Sequence, residues 1–130
     1  MRKILTPACA CAFAAGLVAG AALAEMAAPA TPGKTAKGAA LVDARGMTLY
    51  TFDKDEGGHS ACVGDCAKLW PPLAAGAGAT AGGNFSLVSR EGGAKQWAYK
   101  GKPLYHFAQD AKPGDAAGDG FKSVWRLAAP

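Results

Sequence analysis

The chain has 130 residues, which is enough for one small domain and too few for two independent cores. Its formal net charge is +4, from 14 Lys and Arg against 10 Asp and Glu. No basic run or stripe is present that could follow a phosphate backbone, so the composition argues against nucleic acid as a partner.

Residues 1–24 have the organisation of an export signal. Arg2 and Lys3 form a short positive start, residues 4–23 are mostly Ala and other apolar side chains, and an A-x-A site ends at Ala24. We predict a Sec-type signal peptide cleaved after Ala24, a periplasmic or secreted product and no stable membrane span after cleavage. The alternative, a retained membrane anchor, is disfavoured because Ala and Gly dominate the stretch. Without Arg2 and Lys3, 12 basic side chains remain against 10 acidic ones.

Residues 25–38 combine Pro, Ala, Thr, Lys and Gly without an apolar period, which is typical of a flexible linker. The folded domain is expected over residues 39–130.

Within that domain the chain matches itself at an offset of 55 residues. The identities in this single register, several of them rare aromatic residues, are Gly46 with Gly101, Leu49 with Leu104, Tyr50 with Tyr105, Phe52 with Phe107, Asp55 with Asp110 and Trp70 with Trp125. We therefore predict two related units, at about residues 39–73 and 94–128.

Each unit contains a hairpin signal, in which a glycine separates two short runs of β-branched, aliphatic or aromatic residues. Tyr50 and Phe52 lie two residues apart, as do Tyr105 and Phe107, so each pair shares one face of a strand. The predicted fold is a small, mainly β domain of two hairpin units with a shared aromatic core. One short helical turn is expected near residues 65–70.

Cys62 and Cys66 are the cysteines that remain after signal cleavage, and in an oxidising compartment they favour a disulfide. A closed loop this small would contribute only about 2 kcal/mol by the chain-entropy model. Two alternatives stay open. His59, Cys62 and Cys66 could bind copper or zinc, with His106 among the candidates for a fourth ligand, or the cysteines could form a redox-active dithiol.

Asp55 and Asp110 each follow an aromatic residue by three positions and are interpreted as turn caps that accept backbone hydrogen bonds. A calcium loop beginning at Asp53 is disfavoured, since Gly64 stands where the twelfth-position glutamate belongs. His106 alternates with its aromatic neighbours and is expected to face solvent, with a haem or metal ligand as the alternative. No nucleophile elbow, phosphate loop or dinucleotide fingerprint is present, so we expect no catalytic residues and no enzyme.

Two motifs of the form Y-x-[FWY]-x-x-D, at 50–55 and 105–110, accompany the C-x3-C pair and the sequence Trp70-Pro71-Pro72. With these features the chain resembles the bacterial family of predicted lipoproteins with a conserved Y-x-[FWY]-x-x-D motif, also described as a secreted repeat of unknown function. The resemblance implies an exported, two-repeat envelope protein, and it covers roughly residues 39–128. Unlike many of these relatives, the chain lacks a usable lipobox.

The sequence therefore predicts a monomeric, non-enzymatic binding or structural module of the cell envelope that takes an envelope partner or a small ligand and needs no cofactor. The alternative is a periplasmic protein that binds copper, zinc or haem through His59, Cys62 and Cys66.

Overall fold

The structure, a computed structural model, describes residues 28–130. Most of this part of the chain consists of short strands joined by turns. In chain order the elements are β1 (Thr31–Thr35), β2 (Gly38–Val42), β3 (Tyr50–Phe52), α1 (Asp65–Leu69), β4 (Ala74–Ala75), β5 (Phe85–Ser89), a 3-10 turn (Glu91–Gly93), β6 (Lys95–Tyr99), β7 (Lys102–Pro103), a second 3-10 turn (Phe121–Ser123) and β8 (Trp125–Leu127).

The strands form three small antiparallel sheets. Strands β1 and β2 form a hairpin, β3 pairs with β8, and β6 pairs with β5 on one side and with β4 and β7 on the other. The mainly β fold class predicted from the sequence is confirmed. The single α-helix, α1, coincides with the expected helical turn, and it ends before Pro71 and Pro72, which have no amide hydrogen to continue it.

The ordered domain begins earlier than the sequence indicates. The linker expected over residues 25–38 contains strand β1, whose five residues pair in register with β2 from Thr31↔Val42 to Thr35↔Gly38. Strand β1 is mostly exposed, so it carries no apolar period. Its pairing depends on backbone hydrogen bonds, which composition does not reveal. The predicted signal peptide lies outside the described residues.

The two repeats meet at Tyr50 and Tyr105. The amide of Tyr50 donates to the carbonyl of Tyr105 at 2.8 Å, and the amide of Tyr105 donates to the carbonyl of Tyr50 at 3.0 Å. This reciprocal pair is what an approximate two-fold axis between the repeats requires. Further matched bonds are Leu73 N to Leu104 O with Ala128 N to Leu49 O, and Asp53 N to Val124 O with Ala108 N to Leu69 O.

Each repeat's motif strand pairs with the tryptophan-bearing segment of the other repeat. Strand β3, which carries the first motif, pairs with β8, where Phe52 lies opposite Trp125. In the second repeat, Tyr105 bridges to Pro72, and the amide of His106 donates to the carbonyl of Pro71 at 2.7 Å. The repeats are therefore interleaved, and neither forms its sheet contacts from its own residues alone.

Four aromatic rings form a continuous stack at the centre of the domain. Trp70 and Trp125 lie face to face, with ring centroids 3.8 Å apart and planes within 2°. Phe107 stacks on the outer face of Trp70 at 4.3 Å, and Phe52 stacks on the outer face of Trp125 at 4.1 Å. The matched rings of the two repeats thus share one core, as the offset of 55 residues predicts.

A second core, of aliphatic character, was not predicted from the sequence. Its buried members come from both repeats and from the chain just before β1, namely Ala30, Leu41, Leu49, Leu73, Leu104 and Ala128. Three half-buried aromatic residues, Phe85, Trp97 and Tyr99, pack against it. Not all aromatic residues therefore belong to the ring stack.

The ring stack should carry a large part of the stability. Trp125 is 3% exposed and contacts rings of both repeats, so Trp125→Ala should lower the free energy of unfolding by about 3–5 kcal/mol. Urea denaturation followed by far-ultraviolet circular dichroism measures this loss. Val63→Ala, at an exposed apolar side chain, is the control and should change stability by less than about 0.5 kcal/mol. A near-neutral Trp125→Ala would contradict the shared-core interpretation.

Candidate functional site

The tyrosine and aspartate of each motif are joined across the two repeats. The hydroxyl of Tyr50 donates to Oδ2 of Asp110 at 2.6 Å, and the hydroxyl of Tyr105 donates to Oδ2 of Asp55 at 2.6 Å. We call these two bonds the tyrosine–aspartate clasp. Each motif supplies a donor to the other repeat and an acceptor for it, so the motif is a device for holding two copies together.

The second oxygen of each aspartate caps a turn in its own repeat. Oδ1 of Asp55 accepts from the amide of Ala61 at 2.6 Å, and Oδ1 of Asp110 accepts from the amide of Ala117 at 3.0 Å. These are backbone bonds of the kind expected from the sequence. The tyrosine partners were missed, because they lie 50 and 60 residues away along the chain.

The clasp is buried enough to affect the acidity of its members. Burial raises the pKa of both Tyr50 and Tyr105 above the ordinary value, and the hydrogen bond to the partner carboxylate raises it further. Burial also raises the pKa of Asp55, against the opposing effect of its hydrogen bonds. Both tyrosines therefore remain neutral donors at any physiological pH.

The first repeat surrounds its half of the clasp with a polar network. Because the hydroxyl of Tyr105 donates to Asp55, it accepts the hydroxyl proton of Ser60 at 2.6 Å. Nη1 of Arg90 donates to Ser60 Oγ at 2.7 Å, and Nη2 of Arg90 donates to the carbonyl of Cys62 at 2.8 Å. The Ser60 hydroxyl is thus committed to structural bonds, and the network fixes the loop that contains the cysteines.

The second repeat supports its half of the clasp by close packing instead. The amide of Gly118 donates to the hydroxyl of Tyr50 at 3.3 Å. A side-chain Cβ at Gly118 would lie 2.6 Å from Cη2 of Trp70, so only glycine lets the backbone approach the ring stack here.

Cys62 and Cys66 form a disulfide, with α-carbons 5.2 Å apart. Both sulfurs pack against the aromatic core, and Cys62 is fully buried. The copper or zinc site considered from the sequence required these sulfurs as thiolates, and the disulfide removes them from that role. His59 is exposed, and among residues 28–130 no group of three or more His, Cys, Asp or Glu is placed to hold a metal ion.

His106 does not simply face solvent, as the strand alternation indicated. Its side chain is only 21% exposed, and Nε2 lies 2.8 Å from Oδ2 of Asp43, which belongs to the other repeat. Oδ1 of Asp43 accepts from the amides of Arg45 and Met47 at 2.8 and 3.0 Å. Asp43 therefore organises the turn after β2 and ties that turn to the second repeat.

The charge on Asp43 is stabilised in the fold. Burial alone would raise the pKa of its carboxyl group, but the bond to His106 and the two backbone amides outweigh burial and hold the pKa below its ordinary value. Asp43 is thus an ionised group in a nearly closed environment, and the imidazole of His106 is its only side-chain partner within hydrogen-bond distance among the described residues.

The pair borders an open surface depression of about 400 Å³, which we call the His106 groove. Its polar side is formed by Asp43, His106 and the exposed guanidinium of Arg45. Its apolar side is formed by Leu73 and Trp97. Asp43 and His106 are 63 residues apart in the sequence, and neither lies in a spacing pattern that signals a site.

These features define a class of protein: a small β domain built from two interleaved copies of one motif, stapled in one copy by a disulfide and joined by reciprocal tyrosine–aspartate bonds. The family model described as a secreted repeat of unknown function matches residues 32–74 and 86–129, and the chain belongs to this family. Two matched segments in one chain confirm the duplication. No curated protein and no solved structure matches the chain at a significant level. Within the described residues, every helix is too short to cross a membrane.

The two halves of the clasp should differ in strength. Tyr50→Phe leaves the buried Asp110 carboxylate without its donor and should cost about 2–3 kcal/mol of unfolding free energy. Tyr105→Phe should cost less, about 1–2 kcal/mol, because Asp55 is half-exposed and water can replace the donor. Urea denaturation of both variants measures the difference. Tyr99→Phe, outside the clasp, is the control, and equal losses at Tyr50 and Tyr105 would contradict this ordering.

The Asp43–His106 pair predicts a specific acid sensitivity. Because the folded pKa of Asp43 is lowered, its stabilisation is complete above its unfolded pKa of about 3.9 and is lost as the pH falls through the folded pKa. Asp43→Asn should therefore cost about 1–3 kcal/mol near pH 6, and wild type and variant should converge below about pH 3. Asp65→Asn, at a nearly fully exposed side chain, is the matched control. A constant gap across this range would refute the assignment.

Proposed function

We propose that the protein is an exported, non-enzymatic binding module of the cell envelope, and that its ligand occupies the His106 groove. Membership of a secreted family supports the export, and the sequence of residues 1–24 supports a signal peptide that delivers the chain to the periplasm or beyond. The disulfide is consistent with that oxidising compartment.

A binding role is favoured over an enzymatic one by how the reactive side chains are used. Ser60 is held by Tyr105 and Arg90, and the cysteine sulfurs are bonded to each other. The Asp43–His106 pair resembles the acid and base of a hydrolytic site, but the side chains that line its groove include no serine, threonine or cysteine within the described residues. A base without a neighbouring nucleophile is better suited to hydrogen bonding a ligand.

The groove's chemistry favours a small polar ligand with one apolar face. Asp43 offers an acceptor and Arg45 a donor, His106 contributes a ring nitrogen, and Trp97 and Leu73 offer apolar surface. A saccharide matches this combination, because its ring hydroxyls both donate and accept while its C–H face packs on an aromatic side chain. The juxtaposition of the Asp43–His106 pair with Trp97 in one open groove is the observation that carries this proposal.

Titration of the ¹⁵N-labelled protein with chitobiose, a neutral disaccharide, tests the proposal. We expect shifts concentrated on the indole N–H of Trp97 and on the backbone amides of Arg45 and His106. Trp97→Leu and His106→Gln should each weaken binding by about three- to tenfold, which corresponds to one aromatic or hydrogen-bond contact.

His59→Gln is the matched control, since His59 is exposed and lies outside the groove, and it should bind like wild type. Absence of groove shifts up to millimolar chitobiose, or shifts that persist unchanged in Trp97→Leu, would overturn the proposal.

A further inference from the structure

The approximate two-fold axis generates a second groove, related to the first by the repeat offset. Thr51 stands where the first groove has His106, and Lys100 stands where it has Arg45. Ala128 and Ala129 take the places of Leu73 and Ala74. This second depression, of about 240 Å³, we call the Lys102 groove.

The two grooves share a backbone arrangement but differ in charge. The Lys102 groove is lined by three basic side chains, Lys100, Lys102 and Arg126, and by no acidic side chain of the described residues. Arg126 is already neutralised, because its Nε lies 2.9 Å from both oxygens of Asp53 and its Nη2 lies 2.8 Å from one of them. Neither lysine forms an ion pair with any carboxylate in residues 28–130. Two positive charges are therefore left over at this groove.

Lys100 occupies a backbone position that its residue type does not favour. The loop between β6 and β7 is two residues long, and Lys100 and Gly101 both have positive φ, 51° and 83°, as in a type I′ turn. Asn or Gly normally precedes the glycine of such a turn, because a longer side chain is strained there. The turn alone thus does not explain a lysine, whereas a charge needed at the groove does.

The remaining lining of the groove is apolar or aromatic. Leu104, Leu127 and Tyr99 form its surface between the basic side chains, and the hydroxyl-bearing Thr51 lies at its border with a smaller depression beside Phe52. A ligand for this groove needs an anionic group for the lysines and an apolar body for the surface between them.

We propose that the Lys102 groove binds a phosphate monoester whose organic part is apolar or aromatic. Its charge of nearly −2 near neutral pH matches the two uncompensated ammonium groups, and phosphate oxygens accept charge-assisted hydrogen bonds from lysine. This site is independent of the His106 groove, so failure of either proposal leaves the other standing. The same chemistry is presented by a free phosphate ester and by a phospholipid headgroup.

Phenyl phosphate is the probe, with phenol as its uncharged counterpart, in an NMR titration of the ¹⁵N-labelled protein. We expect shifts at the amides of Lys100, Lys102 and Leu127 with phenyl phosphate and about tenfold weaker binding of phenol. Lys102→Gln should weaken phenyl phosphate binding by about three- to tenfold, and a rise from about 0.05 to about 0.5 M salt should weaken it as well.

Lys100→Asn separates a binding role from a structural one. Asparagine suits the type I′ turn, so this variant should fold at least as stably as wild type while losing affinity by about three- to tenfold. Lys95→Gln, at an exposed lysine outside the groove, is the matched control. Unchanged affinity in both groove variants would overturn the proposal.

Cosedimentation with vesicles distinguishes the sources of the phosphate. Binding to phosphatidylglycerol vesicles that is lost in Lys102→Gln, and is absent with phosphatidylcholine alone, would assign the site to a lipid headgroup. Phenyl phosphate binding without vesicle binding would assign it to a free ester. Binding of neither probe would overturn the proposal.

Discussion

The tyrosine–aspartate clasp constrains this fold more than any other contact. Each motif contains a buried hydroxyl that must donate and a carboxylate that must accept, yet the two groups of one motif do not meet each other. They are satisfied only when a second copy lies across the axis through the paired backbones of Tyr50 and Tyr105. A single repeat would bury a polar group without a partner, which is among the more costly defects in a protein interior. The duplication is thus a structural requirement.

The ring stack reinforces the same pairing through apolar contacts. Tyr50 meets Trp70 edge-on at 5.3 Å, and Tyr105 meets Trp125 edge-on at 5.1 Å, so the residues that form the clasp also fix the positions of the central rings. The copies differ where the stack is closed at its sides. The disulfide packs against the cluster in the first repeat, and Phe121 packs against it in the second. A covalent staple and an aromatic ring are two solutions to the same packing problem.

The sequence predicted the elements whose signal is local or repeated. The offset of 55 residues located the rings of the shared core, and the spacing of Cys62 and Cys66 in an exported chain indicated their disulfide. It did not predict which repeat each aspartate serves, because a local turn and a distant tyrosine both satisfy a carboxylate three residues after an aromatic ring. The Asp43–His106 pair was missed for a related reason: 63 residues separate two groups that only the interleaving of the repeats brings together.

Internal symmetry also helps to separate structural residues from functional ones. Positions at which the copies agree, such as the motif tyrosines and aspartates, are explained by the clasp and the core. The middle position of each Y-x-F segment escapes that explanation, since it is Thr51 in one copy and His106 in the other on equivalent strands. The fold accepts either side chain, so the difference between them is not required by packing. One scaffold thereby presents two grooves of the same shape and different charge, and the divergence of the repeats is confined largely to the surfaces where ligands can reach.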